Sequence, residues 1–406
     1  MSEIESTKKT ARALSPTVIR LGLVSFFADV SSELLYPITP IFLTLVLGAS
    51  VFNVGVIEGV AEGTASLLKT YSGRWSDRLQ KRRTFIWLGY LFTALAKPLV
   101  GGASSWFQVL FARSFDRFGK GIRTAPRDAL LAESVPPELR GAAFGWHRMM
   151  DTLGAVVGPL IAILFLQYMK SPGHLRWLYY AATIPGLISV LIVFSVSEKS
   201  DRRSSLGPSL VKSVPLRLAI MSKEFKRFLC AWGVFSLANS SDVFLLLKAQ
   251  KSGLSLSYTI ILYTFYNVLY ALTSPYLGKL SDKFGRKWIL VSGLIVFAVV
   301  YALFGFASQP WQFWCLFGIY GTYMGATDGV GKAFAIDLVP SDLKATGLGL
   351  LGTVTGFATI VASSVAGFLW DRLGNQWAFN YGALGAVIAI FILIRLPNKT
   401  SESVTN

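Results

Sequence analysis

Residues 73–83 read GRWSDRLQKRR, and residues 278–288 read GKLSDKFGRKW. Both place a glycine, a Ser-Asp pair and a Lys/Arg cluster at the same spacing, 205 positions apart. A second pair of stretches keeps nearly the same register. ALLAESVPPELRGAAFG from Ala129 aligns with AFAIDLVPSDLKATGLG from Ala333, 204 positions on. Val135, Pro136, Glu138 and Leu139 then fall on Val339, Pro340, Asp342 and Leu343. The chain is therefore two copies of one unit in the same orientation, as in parallel repeats about an axis along the membrane normal.

Composition says where such a chain resides. Of its 406 residues 53% are hydrophobic, 14% aromatic and 15% charged, and the mean hydropathy is +0.52. Soluble domains carry about 25% charged residues. Apolar runs of the roughly 17–25 residues needed to cross hydrocarbon recur throughout. They fall at about 17–47, 51–73, 84–104, 106–127, 141–168 and 175–196, then at 227–248, 256–278, 288–307, 311–335, 345–369 and 376–396. The expected fold is an all-α membrane protein with twelve transmembrane helices in two pseudo-symmetric six-helix bundles. The bundles are read as 1–196 and 227–406, joined by a basic linker at 197–226.

A net charge of +17 on one soluble face would point to nucleic acid. Here the cations gather in alternate gaps instead: Lys8, Lys9, Arg12 and Arg20; Arg74, Arg78 and Lys81 to Arg83; the linker; then Lys279, Lys283, Arg286 and Lys287. The gaps GASVFN, GGASS and ASQPW have none. By the positive-inside rule both termini and the linker are expected in the cytoplasm, with no nucleic-acid partner. No removable signal peptide is read at the polar N-terminus. Two isolated cysteines form no disulfide framework, and His147 and His174 make no metal or nucleophile–base pair. A membrane-embedded enzyme is disfavoured on that ground. A sensor is disfavoured because the longest polar stretch is the linker.

The duplicated motif resembles the hallmark of the major facilitator superfamily between its second and third spans, Gly-x-x-x-Asp-Arg/Lys-x-Gly-Arg/Lys-Arg/Lys. Gly73, Asp77, Arg78, Arg82 and Arg83 fill the first copy, with Gln80 at the usual glycine; Gly278, Asp282, Lys283, Gly285, Arg286 and Lys287 fill the second. The resemblance covers the whole chain and implies a secondary transporter working by alternating access, as a monomer and without a cofactor. The motif's role is conformational, its carboxylate capping a helix N-terminus and its cations anchoring at lipid headgroups.

The fourth span carries DRFGKGIRTAPRD, residues 116–128. Its Arg117-Phe118-Gly119-Lys120-Gly121 is similar to the family's Arg-x-x-Gln-Gly, with Lys120 in place of glutamine. The resemblance implies that Arg117 is an interior arginine tied to proton or substrate. A phosphate loop is excluded, because Gly121 follows Lys120 where Ser or Thr is needed. Arg113, Arg117, Lys120, Thr124 and Arg127 step by four and three and so share a helix face, flanked by Asp116, Arg123 and Asp128.

Other spans also hold charge. Asp29 and Glu33 lie one turn apart with Tyr36 on the same face; Glu58, Glu62 and Lys69 share a side of the second span; Lys97 is in the third; His147, Arg148 and Asp151 open the fifth. Asn239 and Asp242 sit in the seventh span, at the place Asp29 takes in the first, and Asp328 and Lys332 lie in the tenth. Each such group at mid-bilayer costs about 2.5–3.5 kcal/mol, against roughly 0.3–0.6 gained per Leu or Phe. They must face a cavity or one another, as in salt bridges between the second span and Lys97 or Arg148. Tyr263, Tyr266 and Tyr270 fall near one face of the eighth span.

These patterns lead to one expectation. The protein moves a small amphipathic or anionic organic solute across a bacterial inner membrane, with the proton gradient as energy source. Asp29, Glu33, Asp242 and Glu62 carry the proton. Arg113, Arg117, Lys120, Tyr36, Asn239 and Tyr266 serve as substrate or counter-charge groups. Gly154, Gly158 and Pro159 of GAVVGP partly resemble the family's antiporter motif in the fifth span, which implies export, and import of an anion is the alternative.

Overall fold

The computed structural model describes residues 15–79, 81–135, 140–168, 171–196, 221–339 and 344–396, without the side chains of residues 70, 73, 74, 77, 78, 140–142, 145 and 344–346. The first motif's Gly73, Asp77 and Arg78 thus lie on a described helix, but their side chains are outside the described residues, as is most of the linker. Among the described residues there is no strand.

The first bundle contains α1 (Pro16–Glu33), α2 (Val51–Leu79), α3 (Arg82–Gly101), α4 (Trp106–Glu133), α5 (Arg140–Leu166) and α6 (Leu175–Phe194). The second contains α7 (Lys223–Ala238), α8 (Val243–Lys251), α9 (Leu256–Phe284), α10 (Arg286–Phe306), α11 (Pro310–Asp337), α12 (Lys344–Leu373) and α13 (Asn375–Ile394). With α7 and α8 as one broken span, these are the twelve crossings of the two bundles. The repeat extends to element length: α2 and α9 each have 29 residues, α4 and α11 have 28, and α6 and α13 have 20.

Eight helical segments among the described residues are long and apolar enough to cross a membrane on those grounds alone. The helices that fall short are α1, α4, α9 and α11. They hold Glu33, Arg117, Tyr266 and Asp328, side chains that a lipid-facing helix does not tolerate. A helix can afford such groups only where neighbouring helices cover it.

Two spans are interrupted where the sequence reading had continuous ones. Helix α1 ends at Glu33 because Pro37 has no N–H to give the Glu33 carbonyl. The chain then turns through Leu34–Ile38 and continues as Thr39–Ile41 and a π-turn at Phe42–Val46. The seventh span breaks at Asn239-Ser240-Ser241-Asp242, four residues whose short polar side chains compete for backbone hydrogen bonds. Non-helical backbone at this depth is tolerated only where protein or a water-filled cavity surrounds it.

The bundles meet along α2 and α12. A Cβ on Gly55 would stand 2.2 Å from the Ser363 carbonyl oxygen, and one on Gly59 2.8 Å from that of Ile360, so the two backbones touch. Small residues four apart allow this approach between membrane helices. At the end of the seam the Asp371 carboxylate accepts the Val51 and Phe52 N–H groups at 3.2 and 2.7 Å, capping α2 from the other bundle. The seam runs on past Gly63 to Ser66, whose hydroxyl donates to the Gly352 carbonyl at 3.0 Å.

Four of the motif cations, Arg82, Arg83, Arg286 and Lys287, pair within the protein. Arg82 pairs with Glu133 at 3.0 Å, and Arg286 pairs with Asp337 at 2.7 Å and Asp282 at 3.2 Å. Arg83 and Lys287 donate to carbonyls at the ends of α6 and α13, Phe194 and Ile394. Helix termini leave carbonyls unpaired, and these cations satisfy them. Lys283 lies over the Phe284 ring, 5.5 Å from its centroid, and a Cβ on Gly278 would meet nothing within 4 Å.

Candidate substrate site

The site is built on α4. Two glycines of its FGKG stretch draw it against its neighbours: a Cβ on Gly119 would stand 2.5 Å from the Gly89 carbonyl oxygen on α3, and one on Gly121 2.7 Å from Leu68 Cβ on α2. Glycine is required at both close approaches. With α4 wedged between α2 and α3, its Arg113, Asp116 and Arg117 are buried and must be matched.

They are matched one for one. Arg113 meets Glu58 at 2.7 Å; Arg117 meets Glu62 at 3.0 Å; Lys97 meets Asp116 at 3.3 Å. Asp116 also stands 3.7 Å from Arg113 and 3.8 Å from Arg117, which makes it the hub of the network rather than a flanking group. Three cations and three carboxylates thus balance. The pairing differs from the expected one: Glu58 takes Arg113, Lys97 turns to α4, and Arg148 reaches Tyr270 at 3.2 Å.

The two Arg–Glu pairs are not equivalent. The Glu58 side chain is 1% exposed, while that of Glu62 is 38% exposed, next to an Arg117 that is 9% exposed. Lys120 is exposed although it stands within electrostatic reach of Glu62, Asp29 and Glu33. The space these groups share is therefore open to water. Arg123, which flanks the stripe, is buried. Its guanidinium sits 4.1 Å from the centre of the Tyr90 ring and bonds Thr93 at 2.6 Å. That geometry is a cation–π clamp between α3 and α4.

Facing them, three tyrosines of α9 each take a carboxylate. Tyr263 donates to Glu33 at 2.5 Å, Tyr266 to Asp242 at 2.7 Å, and Tyr270 to Asp328 at 2.7 Å. Tyr320 of α11 donates to the other oxygen of Asp242 at 2.5 Å. Tyr36 stacks on Tyr263 with ring centres 5.1 Å apart, and Asn239 approaches the Tyr323 hydroxyl at 3.5 Å. Asp29 faces the other way, against α5 at Gly154. Tyr320 and Tyr323 were missed in the sequence, although their i, i+3 spacing on α11 marked one face. Among the described residues no group of three His, Cys, Asp or Glu could hold a metal.

Two repeated six-helix bundles around a centre of paired charges define a secondary transporter. The sequence model of the Major Facilitator Superfamily matches residues 21–260 and 228–406, and the chain belongs to that superfamily. It is a multi-pass membrane transporter of a small organic solute, not an enzyme. An MFS-type transporter of Methanocaldococcus jannaschii is 35% identical over 399 residues, covering 96% of this chain and 97% of that one. The cis,cis-muconate transport protein of Acinetobacter baylyi is 25% identical over 372 residues, covering 85% and 86%. Among solved structures the nucleoside transporter NupG shares the fold, with a TM-score of 0.73 at 14% identity over 94% of this chain and 99% of that one.

Proposed function

We propose that the protein imports a small organic acid, as its anion, together with a proton. The carrying observation is the half-exposed Glu62 paired with buried Arg117 at 3.0 Å. While Glu62 is ionised, Arg117 is neutralised. When Glu62 takes a proton, the guanidinium loses its partner and offers a planar fork to a substrate carboxylate. Anion and proton then enter one site together, which is the linkage a symporter needs. Glu58 and Arg113, buried beneath, hold the site in place, and Lys120 at the mouth raises the local anion concentration. Asp29, Glu33 and Asp242 hold further protons. The relative named for muconate transport supports a carboxylate cargo.

Lys and Arg in the gaps on the termini's face support a cytoplasmic placement of that face, in the inner membrane of a bacterium. The seam at Val51 and Asp371 then closes the outer side, and the water-filled centre opens inward. Rocking the bundles breaks the seam and opens the site outward. The second copy of the motif, Gly278, Asp282 and Lys283, and the first, Gly73, Asp77 and Arg78, set the balance between these states.

The test is uptake into proteoliposomes of a labelled panel of mono- and dicarboxylates, including cis,cis-muconate, under an imposed proton gradient. Accumulation of one acid with alkalinisation outside supports the reading. It should be lost in Arg117→Ala, while Glu62→Gln keeps exchange but loses accumulation. Transport of cations alone would overturn it.

A further inference from the structure

A second cluster of ionisable groups lies between α1 and α5, away from the Arg117 site. His147 Nε2 is 2.7 Å from Ser25 Oγ, and His147 Nδ1 is 3.4 Å from Asp151 Oδ2. The other oxygen, Asp151 Oδ1, is buried with no hydrogen-bond partner. Asp29 packs on the same helix: a Cβ on Gly154, one turn beyond Asp151, would stand 2.8 Å from Asp29 Cβ. Asp151 is within electrostatic reach of Asp29. Two carboxylates thus belong to one buried cluster, and one of them has an orphaned oxygen.

The surrounding charges do not resolve this. On α4, Arg127 is held by Asp128 at 2.9 and 3.1 Å, also bonds Tyr90 and approaches Ser25 at 3.4 Å, and it stands within electrostatic reach of Asp151 without supplying the orphaned oxygen a hydrogen bond. Arg123 is clamped by Thr93 and the Tyr90 ring. On α5, Arg148 turns to Tyr270, and on α1, Glu33 turns to Tyr263. Lys120 is divided among Glu62, Asp29 and Glu33. A buried acceptor without a donor is costly, and two like charges at close quarters do not both ionise. One proton held between the carboxylates answers both costs.

We infer that Asp29 and Asp151 share one exchangeable proton, and that His147, hydrogen-bonded to Ser25, positions Asp151 to hold it. The inference rests on the proton coupling proposed above and adds Asp151 and His147 to its machinery. Both carboxylates belong to the first bundle, so they stay together as the bundles rock, and what alternates is the side from which the shared proton is reached.

The chain has two histidines, His147 and His174. Full-length protein carrying His174→Gln and 15N-labelled histidine, in phosphatidylcholine nanodiscs, therefore reports His147 alone as pH is stepped from about 5 to 9. Asp29→Asn and Asp151→Asn should each move the pH at which that resonance changes by about one unit or more. Each should also remove a protonated-carboxyl C=O band from the infrared difference spectrum over the same range. A band that survives either substitution, or a resonance indifferent to both, overturns the inference. In proteoliposomes, cis,cis-muconate counterflow should persist in both variants while gradient-driven accumulation is lost. If the parent carries no acid of the panel, the reading of the cargo fails, and the substrate-free spectra still decide the shared proton.

Discussion

Glu33 occupies the place in the first bundle that Asp242 takes in the second, where the sequence reading puts Asp29. Each follows a Ser-Ser pair where the first helix of its bundle breaks, and each accepts a tyrosine hydroxyl from α9, at 2.5 Å from Tyr263 and 2.7 Å from Tyr266. One relationship differs. Asp242 and Tyr266 belong to the same bundle, whereas Glu33 and Tyr263 belong to different ones. The first contact is internal, and the second is made or broken as the bundles rock.

Tyr263→Phe should therefore shift the conformational balance. A hydrogen bond to a charged group contributes about 1.5–3 kcal/mol, or roughly 10- to 150-fold in that equilibrium. Tyr266→Phe should leave it nearer the parent, because its bond lies within one bundle. Accessibility of single cysteines at the Val51–Asp371 seam, in a background without Cys230 and Cys315, checks this: Tyr263→Phe should raise labelling and Tyr266→Phe should not.

Glu58→Gln and Glu62→Gln should behave oppositely. The first leaves Arg113 buried without its anion, and breaking such a pair costs about 3–5 kcal/mol. Expression and the thermal midpoint should fall. Glu62 is 38% exposed, so its loss should change stability by only about 0–1 kcal/mol while transport changes. Thermal unfolding in one detergent separates the two; equal destabilisation would contradict the division of roles.

Gly59→Leu should hold the seam open. Its Cβ would already stand 2.8 Å from the Ile360 carbonyl oxygen, and backbone cannot yield as a flexible side chain can. Counterflow should drop at least about tenfold, equivalent to a penalty of ~1.4 kcal/mol on the closed state. Gly329→Ala, where a Cβ meets nothing within 4 Å, should retain parental rates in the same assay.

Arg123→Lys should not be conservative. Lysine keeps the charge but lacks the planar group that covers Tyr90 and the geometry that reaches Thr93. A loss of about 1–2 kcal/mol in stability is expected. Tyr90→Ala should reproduce much of it, and the double variant should fall short of the sum in a thermal-unfolding cycle.

The fold was legible in the sequence because its signals are one-dimensional. Apolar run length, Lys/Arg spacing and an offset of 204–205 residues between repeats need no knowledge of which helix touches which. The cation stripe on α4 was legible for the same reason, as was the tyrosine face of α9. Even the break in the seventh span was written in Asn-Ser-Ser-Asp, although an otherwise apolar run concealed it.

Partnership was decided only by the tertiary structure. Arg113, Arg117 and Arg123 share one short stretch and one side-chain chemistry. The first sits under Glu58, the second pairs with a solvent-facing Glu62, and the third stacks on Tyr90. Asp29 and Glu33, one turn apart, face different helices. The sequence by itself determined a doubled, twelve-span transporter with charge at its centre, since burial and topology follow from local composition. Which charges cancel, which stay exposed and which carboxylates meet depended on helix packing set by Gly55, Gly119 and Gly154, because ion pairing falls off over a few ångströms and spacing along the chain does not specify distance across it.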